Sequence, residues 1–135
     1  MADEIYCDEK YVTIWWNPDI QSVHVEWRAW ANTDEIRAAL EKGLKALRDH
    51  HATRWLADCL RRRVVQEDAQ EWLDQSWLPQ ARALGLRRMA VVLPVSEVSK
   101  GTVEDLVAKY SATEVETRKF ATVEEARSWL AEDAP

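Results

Sequence analysis

The apolar residues of this chain repeat with one period before Asn32 and with another after it, and that change restricts the fold more than any other feature. Residues 11–16 alternate, with Val12, Ile14 and Trp16 on one face and Tyr11, Thr13 and Trp15 on the other. Asn17-Pro18-Asp19 is a turn signal. Residues 22–30 alternate again, Val23, Val25, Trp27 and Ala29 against Ser22, His24, Glu26, Arg28 and Trp30. Two period-two runs across a short turn predict an antiparallel hairpin. A short strand is expected before it, at 5–7.

At Asn32 the period changes to a helical one. Asn32-Thr33-Asp34-Glu35 is a capping-box-like start, and Ile36, Leu40, Leu44 and Leu47 recur on one helical face. This helix is expected over 33–49, with Lys45, Arg48, His50 and His51 at the negative end of its dipole. A strand at 53–59 follows, then a helix from about Gln66 carrying Ala69, Trp72 and Leu73 toward the core. Pro79 should kink that helix or start a second short one ending at Gly85. Met89-Ala90-Val91-Val92-Leu93 is a continuous apolar run, the signature of a strand covered on both faces. A short helix capped by Thr102 is expected at 102–110, a polar edge strand at 114–120, and a last helix behind a Thr122/Glu125 capping box.

The predicted fold class is therefore α/β. An N-terminal β-hairpin leads into β-α repeats, giving a mixed, mostly parallel sheet in one domain spanning 1–135. Right-handed crossovers between sequential neighbours put the helices mainly on one face. The second face of strand 89–93 then needs cover from the 78–86 segment, another subunit or a ligand.

Composition narrows the function. A formal net charge of −6 argues against a general nucleic-acid or anionic-membrane binder. Two cysteines, Cys7 and Cys59, are too few for a disulfide framework, and both lie in apolar runs that suit buried thiols. No leader pattern is present, nor any apolar run near the roughly 20 residues that span a bilayer. A reducing cytoplasm is the expected location. With eight tryptophans, most should be core, each buried indole N–H needing a partner.

The polar residues gather around the strand expected at 53–59. Asp58 stands near its carboxyl end, where open α/β sheets usually build sites. Asp58 can accept bonds from a ligand, or simply cap the next turn. Arg61, Arg62 and Arg63 form a positive cluster in an acidic chain. They can hold a phosphate or acidic partner, or else pair with Glu67, Asp68 and Glu71. With Trp72 nearby, these four residues make the candidate binding surface. Tyr11, Trp15 and Trp30 fall opposite the aliphatic stripe of the hairpin and are the candidate interface, for a partner or a second copy. The alternative is a second small core under the terminal helix. His24, His50 and His51 lack metal-ligand spacing, and no nucleophile or phosphate-loop motif occurs. No cofactor is expected.

The segments TIWW (13–16), VEWRAW (25–30), RWLADC (54–59), QEWL (70–73) with Trp77-Leu78-Pro79, and AVVLP (90–94) together resemble small bacterial proteins of the STAS or SpoIIAA-like type, the group to which Sec14-like modules are also compared. The resemblance runs over nearly the whole chain. It implies a SpoIIAA-like fold and a non-catalytic regulatory or adaptor module in bacterial signalling, working through an unidentified protein partner. The alternative it implies is a small-molecule or lipid binder with a Trp-lined pocket. Antagonists that work by a phosphorylation switch carry Ser or Thr in the loop after the corresponding strand. Residues 59–68 contain neither, and Ser76 lies too far along the next helix. No phosphoacceptor carries over.

Overall fold

A computed structural model of the chain describes residues 4–62 and 65–132. Three antiparallel strands open it: β1 (Glu4–Glu9), β2 (Val12–Asn17) and β3 (Ser22–Trp27). The expected hairpin is β2–β3, with Trp15 opposite His24 and Ile14 opposite Val25. β1 is longer than the sequence suggests and carries a register irregularity between Ile5 and Cys7. Three parallel strands follow, β4 (Arg54–Asp58), β5 (Arg88–Val92) and β6 (Glu116–Phe120). All six lie in chain order in one sheet.

Between β3 and β4 runs α1 (Thr33–His50). Its start is the expected capping box: the Asn32 side chain accepts from the Glu35 amide at 2.8 Å, and the Glu35 carboxylate accepts from the Asn32 amide at 2.9 Å. It ends at His51 in the left-handed conformation, φ 49°. Between β4 and β5 the chain forms α2 (Glu67–Trp72), a π-helical turn (Leu73–Trp77) and α3 (Leu78–Ala83). Pro79 sits in the first turn of α3, the second short helix expected before Gly85. Its ring would meet the carbonyl one turn back, and the widened π turn just before it relieves that clash. Gly85, at φ +114°, then turns the chain toward β5.

α4 (Glu97–Ser111) departs from expectation. It begins five residues earlier than the predicted 102, behind Ser96, and Thr102 lies inside it rather than capping it. α5 (Val123–Ala131) begins where the sequence places it, with the Thr122 hydroxyl accepting from the Glu125 amide at 3.2 Å.

Alternation of side chains across the sheet sets two cores. On one face Val23, Val25, Trp55, Met89 and Val91 pack with α1, the π turn and α4. On the other Leu56, Ala90 and Val92 pack with Ala126, Trp129 and Leu130 of α5. Helices thus lie mainly on one face, as the three parallel crossovers require. The second face of β5 is covered by α5 and not by the 78–86 segment. The need for a second copy on that strand is met within the chain. Five of the eight tryptophans (Trp16, Trp27, Trp55, Trp77 and Trp129) are buried. The Trp77 indole N–H donates to the Leu40 carbonyl at 3.1 Å.

Candidate functional site

Asp58 is the last residue of β4, and its side chain ends the strand. One carboxylate oxygen accepts from the Leu60 amide at 3.1 Å, a local bond that offers the backbone an alternative to the sheet ladder. Burial raises the pKa of Asp58, with the Glu26 charge adding to that and the Leu60 bond and Arg61 opposing it. Asp58 pairs in register with Glu26 on one side and Val92 on the other, so its side chain belongs to the face that α5 covers. Its turn-closing role is visible, and its candidate binding role has to act from that face.

The arginines that follow have different fates. Arg61 is exposed at the carboxyl edge of the sheet. Arg62 turns into the molecule and is 7 % exposed, its amide closing a turn onto the Cys59 carbonyl at 3.0 Å. Its guanidinium carbon stands 4.0 Å from the centroid of the Trp27 ring. Arg63 lies outside the described residues. Among those described, neither Arg61 nor Arg62 makes an ion pair. Pairing with Glu67, Asp68 or Glu71 does not occur there. Asp68 instead accepts from the Thr33 hydroxyl at 2.7 Å, tying α2 to the start of α1.

Beneath Arg62 is a half-open cavity of about 70 Å³ between the sheet, the π turn and α4. Its walls include Trp27, Trp55, Trp77, Val91 and Val103. Trp55 and Trp77 meet edge to face with centroids 4.9 Å apart. The polar groups on the lining are Arg62, the Tyr110 phenol and the Cys59 thiol. Burial pushes the Cys59 thiol up to about 11, with Arg62 partly opposing the shift. Burial likewise holds the Tyr110 phenol above its ordinary value. The cavity is too small to enclose an acyl chain.

The remaining candidates are dispersed. Trp72 is half-buried against the main core, with the Arg37 guanidinium 5.4 Å over its ring, and it does not line the cavity. Tyr11 sits in the β1–β2 turn and packs on the main core, so it does not share the face of Trp15. Trp15 is half-buried over His24, ring centroids 5.1 Å apart. Trp30 lies three residues beyond β3 and is 52 % exposed. The single aromatic patch expected from Tyr11, Trp15 and Trp30 is therefore not formed.

An apolar surface does collect elsewhere. Trp30 follows the carboxyl end of β3, and Val95 and Val98 follow that of β5, all three exposed. Val95 also lines an open groove of about 410 Å³ together with Leu60, Leu93, Pro94, Lys100, Lys119 and Phe120. The sequence reading missed Tyr110 and Gly43. A side-chain carbon on Gly43 would stand 2.5 Å from the Trp55 ring, so only glycine lets α1 close on that wall of the cavity. Tyr110 falls in the stretch read as the end of a short helix, and only the Val103, Val107, Tyr110 spacing could have placed it inward.

A six-stranded sheet in chain order, antiparallel then parallel, with helices mainly on one side, is a SpoIIAA-like fold. A crystal structure of an uncharacterized protein of the DUF3478 family with a SpoIIAA-like fold, from Shewanella loihica PV-4, superposes on 96% of this chain and 96% of its own at a TM-score of 0.62. The two sequences are 16% identical, a likeness of fold. Neither a protein-family model nor a curated protein matches the sequence. No helix among the described residues is long and apolar enough to cross a membrane, and none of their His, Cys, Asp and Glu side chains cluster as a metal site.

Proposed function

We propose that the protein works by binding rather than catalysis, as a regulatory or adaptor module of bacterial signalling, and that it engages a protein partner at the carboxyl edge of the sheet. One observation carries this reading. Of the four large apolar side chains exposed among the described residues, Trp30, Val95 and Val98 follow the carboxyl ends of β3 and β5, which both run parallel to β4; Ile5 alone does not. Exposed apolar groups along one sheet edge, with Arg61 and Lys100 following strands at that same edge, suit an interaction surface. The thiol in the cavity is held protonated at neutral pH by burial and makes a poor nucleophile. No hydroxyl between Cys59 and Asp68 offers a phosphorylation switch, so regulation would run through occupancy of the edge.

The test is differential capture. A partner retained by the unaltered protein should be lost on Trp30→Glu with Val98→Glu, and kept on Ile5→Glu. All three proteins should melt at the same temperature. Retention by the double variant, or loss on Ile5→Glu alone, contradicts the assignment.

A further inference from the structure

We propose that the tryptophan-walled cavity beneath Arg62 is a binding site for a small monocarboxylate with a compact apolar body, its carboxylate on the Arg62 guanidinium and its body against Trp27, Trp55 and Trp77. Binding there does not require a protein partner docked at the edge surface.

Arg62 is more than nine-tenths buried, yet no carboxylate lies within ion-pair distance and its side chain has no hydrogen-bond acceptor among the described residues. Arginine stays protonated in proteins, so the fold holds a cation in a largely apolar place. A buried charge is costly unless paired and hydrogen-bonded. Stacking on Trp27 at 4.0 Å offsets part of that cost and occupies one face of the guanidinium. Among the described residues no acceptor meets the donor edge, and no Arg62 nitrogen is among their fully buried, unpaired side-chain atoms, so that edge is free to face the half-open cavity.

Geometry and size then select the ligand. A planar guanidinium matches a planar carboxylate with two parallel hydrogen bonds. One cation balances one negative charge, which disfavours a phosphate dianion in so apolar a setting. The Tyr110 phenol is the other strong donor on the lining, and the remaining wall is mainly aromatic and aliphatic. A cavity of about 70 Å³ takes a carboxylate and a few carbons, while a ring can reach its open side. A neutral isostere of the same shape would leave the cation unbalanced.

Calorimetry and indole N–H spectra of the full chain test this with benzoate and isobutyrate as probes, and with benzamide and inorganic phosphate as comparisons. Saturable binding of at least one carboxylate is expected, with the largest indole shifts at Trp27, Trp55 and Trp77. Benzamide and phosphate should bind at least about tenfold more weakly. Arg62→Gln should weaken the carboxylate by at least about tenfold, and Arg62→Lys by less. Val107→Phe, which narrows the cavity without touching the charge, should also abolish binding. Should either variant fail to fold, the comparison of benzoate with benzamide on the unaltered protein decides alone. Three results overturn the proposal: no carboxylate binding into the millimolar range, equal binding of benzamide or phosphate, or unchanged affinity in folded Arg62→Gln.

Discussion

His24 shows how a single polar residue is confined by its neighbours. It is buried in β3 beneath Trp15, and its Nε2 has no hydrogen-bond partner among the described residues. Burial, with Arg127 of α5 adding to it, lowers its pKa from 6.5 to about 4. The unfolded chain therefore binds the proton first as pH falls. This contribution to stability is whole above the unfolded value and is lost progressively between about 6.5 and about 4. From pH 7 to pH 5 the loss should be about 2 kcal/mol. Asp58, raised by burial, acts in the opposite sense, so the comparison must be with a His24 variant. Urea unfolding of His24→Leu at the two pH values should show a loss smaller by about that amount. An equal loss in both proteins would mean that His24 titrates normally in the fold. The arginine run makes the same point about environment. Arg61 and Arg62 are alike in sequence, and only the turn closed by Asp58 and Cys59 sends one outward and the other onto Trp27.

At the scale of elements, close packing decides where glycine is required. In α1, a side-chain carbon at Gly43 would overlap the Trp55 ring at 2.5 Å, whereas at Gly101 in α4 it would meet nothing within 4 Å. Overpacking costs about 1–3 kcal/mol and helix propensity returns about 1, so Gly43→Ala should destabilise by up to about 2 kcal/mol. Gly101→Ala should stabilise by up to about 1 kcal/mol. Thermal unfolding of the pair checks this, and a stabilised Gly43→Ala would contradict the packing. The same two helices mark what the sequence could reveal. The hairpin and the start of α1 were legible because their signals are local: alternation, a turn tripeptide and a capping box. The start of α4 was not, because Lys100-Gly101-Thr102 looks like a break followed by a cap. Its inward residues, Val103, Val107 and Tyr110, make only a narrow stripe. The π turn was hidden because Pro79 specifies a clash to be relieved and not the means of relief. In the candidate site, Asp58, Arg61 and Arg62 were named by position, but where each side chain points depends on backbone directions in a turn.

For the whole molecule, α5 forms the second small core that was the alternative reading of the hairpin's other face. The crossover rule places α1, α2, α3 and α4 because each must return the chain to a parallel neighbour. Nothing after β6 imposes that constraint, and α5 is free to cover the other face with Trp129 and Leu130 over Leu56, Ala90 and Val92. A chain ending before Thr122 should expose that strip, bind a hydrophobic dye and associate at micromolar concentration. A truncated chain that sediments as a monomer with an unchanged melting temperature would show that α5 is dispensable. With both faces of β5 closed, the carboxyl edge is where the account places binding, and hydrogen exchange tests that most directly. Adding the captured partner to the unaltered protein should slow amide exchange at 28–32, 59–62 and 93–98 and leave β1 unchanged. Protection centred on Ile5 and Trp15, with the edge segments unaffected, would contradict the account.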